Sequence, residues 1–227
     1  MGHNKLKRFA EVATFSNVFQ PTELVEGKVN FPLKGKWNAE YFKNNNPIIL
    51  ELGCGKGEYT VGLAKRFPDK NFIGMDIKGA RLWRGAKIAF ENKMNNVAFV
   101  RNRIDFIESY FSPGEVSEIW IPFPDPYPRE GKTEKRLMSH SFVMRYRNLT
   151  KPGAIIHLKT DNEGLYQFAM EQVAEHKYKL LAESDDVYAH SEKLGENRYV
   201  LLSEIQTYYE STFLKMGKKI HYVEFQI

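Results

Sequence analysis

The sequence predicts an α/β fold: a mostly parallel, seven-stranded sheet with helices on both faces and an antiparallel edge strand at the C-terminus. Three observations lead there. From residue 48 onward, short apolar runs alternate with helical patterns, as in a parallel sheet with crossover helices. The first run, Ile48 to Leu52, is continuous rather than alternating, as a strand buried on both faces requires. It passes directly into Gly53-Cys54-Gly55-Lys56-Gly57, where glycines let the backbone turn tightly and come close to a ligand.

The elements follow in order. Residues 57–66 read as the first helix, closed near Pro68-Asp69, and Asn71 to Asp76 as the second strand. Gly79 to Lys93 places Leu82, Ala86 and Ala89/Phe90 on one helical face. Val97 to Val100 is the third strand, and Ile104 to Phe111 a short helix. Ile119 to Ile121 is the fourth strand, and Ser139 to Leu149 a helix. Lys151-Pro152-Gly153 turns the chain into a fifth strand, Ala154 to Lys159. Asn162 to His176 is helical, Tyr178 to Ala182 is the sixth strand, and residues 184–197 read as a polar, mobile stretch. A last helix is expected from Ser203 to Met216, before the alternating edge strand from Ile220 to Ile227.

Residues 1–46 show no sustained apolar period. They carry seven Lys/Arg against four acids, which reads as a basic, partly flexible arm. Asn44-Asn45-Asn46-Pro47 separates it from a domain spanning residues 47–227. The single cysteine, Cys54, excludes an intrachain disulfide and a cysteine metal cluster and points to the cytoplasm. The six histidines lack ligand spacing, so no metal is expected. No apolar run reaches membrane-span length. A monomer or a homodimer is expected.

In open α/β sheets, ligands bind at the carboxyl ends of the strands. The glycine turn does not suit a dinucleotide, because Glu58 stands where the third glycine of G-x-G-x-x-G belongs. Nor does it suit a P-loop, because Leu50 and Gly57 break that pattern. Glu51-x-Gly53-x-Gly55-x-Gly57 instead looks like the first motif of S-adenosylmethionine-dependent methyltransferases. Glu51 would attract the cationic part of that cofactor. Asp76, ending the second strand, suits ribose hydroxyls, since a carboxylate can accept from a diol. After the third strand, Asn102 and Asp105 are candidates for the adenine amino group. After the fourth comes Pro122-Phe123-Pro124-Asp125-Pro126-Tyr127-Pro128-Arg129. Its four prolines make a stiff segment, suited to aiming Asp125 at a reacting centre. From Arg129 to Lys151, seven Lys/Arg face two acids, as a polyanion at the mouth of the site would require.

Several stretches together resemble the bacterial tRNA (guanine-N7)-methyltransferases. They are ELGCGKGEYT at 51–60, PFPDPYPR at 122–129, EKRL at 134–137, HLKTDNEGL at 157–165 and TYYE at 207–210. The resemblance implies a Rossmann-like class I methyltransferase fold. It also implies methyl transfer from S-adenosylmethionine to N7 of guanine 46 in the tRNA variable loop. By the family pattern, Glu51, Asp76 and Asp125 contact the cofactor, with Asp125 also at the reaction centre. Arg129, Asp161 and the run Thr207, Tyr208, Tyr209, Glu210 contact the target nucleotide. The segment with Lys132, Lys135 and Arg136 touches RNA. Where the family often has Asp, this chain has Arg103, which cannot accept a hydrogen bond, so Asn102 becomes the candidate beside it. Two rivals are weighed: a methyltransferase acting on a base amino group, and a non-catalytic RNA-binding protein on the same scaffold.

Overall fold

The computed structural model describes residues 2–21, 24–25 and 28–227. Met1, Thr22, Glu23, Glu26 and Gly27 of the expected N-terminal arm lie outside the described residues. The chain runs α1 (Gly2–Val12), β1 (Val18–Phe19), β2 (Leu24–Val25), β3 (Lys28–Val29), β4 (Ile48–Leu52), α2 (Glu58–Arg66) and β5 (Asn71–Met75). It continues through α3 (Gly79–Glu91), β6 (Val97–Val100), β7 (Val116–Pro122), α4 (His140–Leu149), β8 (Thr150–Thr160), α5 (Glu163–Glu175) and β9 (Lys179–Ser184). It closes with α6 (Ser191–Leu194), α7 (Glu196–Glu204), α8 (Tyr208–Lys215) and β10 (His221–Gln226).

The sheet is mixed and mostly parallel, in the order β1-β6-β5-β4-β7-β8-β10-β9. Alternate residues of the central strands feed two cores. Leu50, Leu52, Ile73 and Leu158 pack with the Val143 and Leu165 side of the molecule. Ile49, Phe72, Phe99 and Trp120 pack with Leu63, Leu82 and Ala86. Burial on both faces explains why the strand sequences read as continuous apolar runs.

Several details differ from the sequence reading. The sheet has eight strands rather than seven, because β1 pairs in parallel with β6. Described parts of residues 1–46 are built into the domain. Val12 and Trp37 are fully buried, Trp37 Nε1 donates to the Tyr110 carbonyl at 3.0 Å, and its ring stacks on Phe111. Scattered aromatics packing singly onto an existing surface leave no period to read. The C-terminal strand is not the edge. β10 lies antiparallel between β8 and β9, and β9 forms the edge. An interior position buries both faces of β10, and His221 to Phe225 are all buried. The expected last helix is two helices. The chain breaks at Ile205–Thr207, and the Thr207 hydroxyl caps α8 by accepting from Glu210 N at 3.0 Å. The stretch read as polar and mobile contains α6, with Val187 and Leu194 buried.

Candidate active site at the strand carboxyl ends

The carboxyl ends of β4, β5, β6 and β7 open on a cleft of about 600 Å³. Its floor is the turn after β4. Gly53 and Gly55 have φ of 69° and 53°, a region disfavoured for residues with a Cβ. A Cβ on Gly53 would meet nothing within 4 Å, so the missing side chain leaves open cleft beside the backbone. Gly57 differs. A Cβ there would stand 2.8 Å from Phe99, and Gly57 does not line the cleft. The missing Cβ there lets α2 pack closely against Phe99 and Gly85.

Two carboxylates frame this floor. Glu51 is buried and accepts from Thr60 N at 2.7 Å and from the Thr60 hydroxyl. Burial pushes its carboxyl up to about 8, against those two hydrogen bonds. Asp76 accepts from Gly55 N at 2.8 Å and from Lys78 N at 2.7 Å, one on each oxygen. Each oxygen keeps a further lone pair for a ligand hydroxyl. The carboxylate thus fixes the shape of the glycine turn and presents itself to the cleft.

Asp125 lines the same cleft, on the loop after β7. Phe123 N donates to the Lys159 carbonyl at 2.7 Å, tying the start of this loop to β8. The sequence rule for residues before proline favours extended backbone. Phe123 and Tyr127 depart from it, with φ of 52° and 40°. Positive φ on an aromatic residue costs free energy and persists only where the surroundings enforce it. Arg136 supplies part of that enforcement. Its guanidinium donates to the carbonyls of Pro126 at 3.0 Å and Tyr127 at 3.1 Å and lies over the Phe168 ring. The prolines have no N–H with which to brace the loop from within.

A family model described as "Putative methyltransferase" matches residues 45–223. The tRNA (guanine-N(7)-)-methyltransferase of Christiangramia forsetii is 48% identical over 226 residues, covering 99% of this chain and 98% of that one. The chain belongs to the tRNA (guanine-N7)-methyltransferase family. It is therefore an enzyme, as the sequence resemblance implied. Solved structures support the fold at low identity. The 16S rRNA methyltransferase KamB aligns with a TM-score of 0.62 at 12% identity, covering 90% of this chain and 98% of its own. Phosphoethanolamine N-methyltransferase 2 of Haemonchus contortus, in complex with S-adenosyl-L-methionine, aligns with a TM-score of 0.51 at 14% identity over 87% of this chain and 54% of its own.

The residues expected from the family pattern separate into two groups. Glu51, Gly53, Gly55, Asp76, Asn102, Arg103, Asp125, Lys135, Thr207 and Tyr209 line the cleft. Asn102 donates to the Tyr110 hydroxyl at 2.5 Å and to the Pro21 carbonyl at 3.3 Å, while its Oδ1 accepts from Arg103 N. Arg103 pairs with Asp105 at 3.1 Å. The other expected residues fall outside the lining. Arg129 and Lys132 are exposed on the segment beyond the loop. Tyr208 is exposed, with Lys56 over its ring.

Three residues have other partners. Asp161 pairs with Lys218 at 2.6 Å, and the adjacent Asn162 is the cap of α5. Glu210 is fully buried, ion-paired to Lys159 and accepting from the Tyr188 hydroxyl at 2.8 Å. Neither Asp161 nor Glu210 is among the residues lining the cleft. The Arg136 guanidinium is held by the proline loop, through the Pro126 and Tyr127 carbonyls. Sequence reasoning did not mark Ile77, Phe142 and Arg81, which also line the cleft, together with Phe123 of the proline loop and Arg145 of the basic stretch. Ile77 carried a usable signal: an apolar residue directly after the strand-end acid, here 53% exposed.

Among the described residues, no group of three or more His, Cys, Asp or Glu side chains is placed to hold a metal. No helix among them is long and apolar enough to cross a membrane.

Proposed function

We propose that this enzyme transfers a methyl group from S-adenosylmethionine to N7 of guanine 46 in the tRNA variable loop. The observation that carries the reading is that Asp125, on a braced and strained loop, lines the same cleft as a glycine turn framed by Glu51 and Asp76. The open space over Gly53 and the two carboxylates fit an amino-acid nucleoside without phosphate. Glu51 would hold its cationic end, Asp76 its ribose hydroxyls, and Asn102 or Asp105 its adenine edge. S-adenosylmethionine, when bound, supplies an electrophilic methyl group on a sulfonium centre.

The chain's own residues then need to do little acid–base work. N7 of guanine carries a free lone pair, so no proton has to be removed. Methylation leaves the purine ring cationic, and the Asp125 carboxylate opposes that developing charge. A cation brought beside Glu51 draws off the proton that burial favours, because opposite charge stabilises the ionised form. Thr207 and Tyr209 are the parts of the TYYE segment left facing the cleft, and they would contact the target nucleotide. Lys135 and the exposed Arg129 and Lys132 would meet the neighbouring phosphates.

The deciding experiment is labelled methyl transfer to unmodified tRNA transcripts carrying guanine or adenine at position 46, followed by digestion. N7-methylguanosine that vanishes with the guanine is expected. A methylated amino group, or methylation at another position, would overturn the assignment of atom or site.

Arg136 gives a second test. As a brace for the loop, Arg136→Ala should lower kcat by about 10- to 100-fold, the scale of an ångström-size misplacement. The salt dependence of tRNA binding should stay unchanged. Arg136→Lys should rescue little, because one ammonium cannot fork across two carbonyls. A normal kcat with a shallower salt slope would return Arg136 to the RNA contacts.

A further inference from the structure

Basic residues rim the cleft on a side that the motifs do not mark. On α3 and its start, Lys78, Arg81, Arg84 and Lys87 follow one another around the helix. Lys78 and Arg81 line the cleft, with the Arg81 guanidinium over the Tyr209 ring. Residues three apart are neighbours on a helix surface, so Arg81, Arg84 and Lys87 trace a path away from the cleft mouth. That path ends in a hollow between α3 and α1, lined by Trp83, Lys87, Lys7, Arg8 and the carboxylate of Glu11. The Arg8 guanidinium lies 4.7 Å from the centroid of the Trp83 ring.

The charge along this path is one-sided. With Lys5, α1 and α3 present seven cations: Lys5, Lys7, Arg8, Lys78, Arg81, Arg84 and Lys87. Two carboxylates lie among them, Glu11 and Glu91. Both are paired to the same lysine, Lys87, at 2.7 Å and 3.7 Å. Glu11 also accepts from Trp83 Nε1 at 2.7 Å. Among the described ion pairs, none involves the other six cations. Lys5, Lys7, Arg8, Lys78, Arg81 and Arg84 are all exposed. Uncompensated cations in a row, continuous with a cleft, fit a polyanion better than a solvated helix face of alternating sign.

We infer that the α1–α3 face is a second phosphate-binding track, on which the tRNA backbone lies as it leaves the target nucleotide. The inference rests on the methyl-transfer reading above, and adds a rim distinct from the Arg129–Lys135 segment. The unpaired cations Lys78 to Arg84 span about 9 Å of helix, enough for one to two phosphates, and α1 extends the track. The Arg8 and Arg81 guanidinium groups lie over the Trp83 and Tyr209 rings, and neither takes part in a described ion pair.

The test uses the full chain with Lys7→Ala, Arg8→Ala and Arg84→Ala combined, three positions that do not line the cleft. The probe is an unmodified tRNA transcript, with binding measured across a salt series and methyl transfer measured at saturating tRNA. Loss of three phosphate contacts should flatten the slope of log K against log salt by about 2 and weaken binding about tenfold near 0.1 M salt. KM for tRNA should rise, while kcat, S-adenosylmethionine affinity and the melting temperature stay at the parent values. An unchanged salt slope and affinity in the triple variant would overturn the track. If the parent protein itself bound no tRNA, the methyl-transfer reading would fail first, which separates the two outcomes.

Discussion

Asp125→Ala is expected to reduce methyl transfer to tRNA about a thousandfold or more while leaving the fold intact. The magnitude follows from the charge that develops on the purine ring. A full charge about 4 Å from a carboxylate gains about 4 kcal/mol at an effective dielectric of ~20. Each ~1.4 kcal/mol is a factor of ten in rate, so the loss amounts to about three decades. Removal of one preorganised electrostatic group from other active sites has similar consequences. Stability should change by less than about 0.5 kcal/mol, because Asp125 is exposed and joins no described hydrogen bond or ion pair. Asp125→Asn should fall between parent and alanine variant, since it keeps the shape and a hydrogen-bond acceptor but loses the charge. Single-turnover rates, with melting curves of the same preparations, provide the check. A parent-like rate in Asp125→Ala would remove the carboxylate from the mechanism.

Glu210→Ala should destabilise the protein by about 3–5 kcal/mol, the cost of leaving one partner of a buried ion pair alone. Lys159 and Glu210 are both fully buried, one at the end of β8 and the other in the first turn of α8. Burial pulls the Lys159 ammonium down to about 8, and Glu210 beside it pulls the other way. Without Glu210 the ammonium would keep only its bond to the Leu202 carbonyl, at 2.5 Å. For a chain of this size the loss corresponds to about 6–20 °C in Tm. Replacing both partners, as Lys159→Met with Glu210→Leu, should recover much of it, because an apolar pair leaves no buried charge unpaired. Urea unfolding of the two single variants and the double variant measures the coupling. The competing outcome is parent-like stability with a raised KM for tRNA, which would make Glu210 a nucleotide contact, as the family pattern implied.

The proline loop shows how members of one motif come to have different partners. PFPDPYPR and EKRL are adjacent in sequence, and their basic residues look alike. Arg129, Lys132 and Lys135 remain exposed, whereas Arg136 turns back to the carbonyls of Pro126 and Tyr127. A long cation takes whichever acceptor lies within reach, and a segment with four prolines has carbonyls in excess of N–H donors. Composition recorded the charge, but the chain reversal after Tyr127 determined where that charge went.

By itself the sequence determined the α/β class, the central strands, the glycine floor, and the acids Glu51, Asp76 and Asp125 at the strand ends. These depend on local physics. Burial on both faces demands continuous apolar runs, a close turn demands glycine, and strand ends are where such sheets bind ligands. Tertiary structure alone decided the insertion of β10 between β8 and β9, the docking of Trp37 and Val12, and the partners of Glu210, Asp161 and Arg136. One trace of these was present in the sequence: Lys159 ends an otherwise largely apolar strand, and a buried ammonium requires a carboxylate. Which carboxylate answered it was settled by the breaking of the last helix at Thr207, which turned Glu210 inward. Long charged side chains choose partners by distance through space, so their roles appear only when the fold has brought remote segments together.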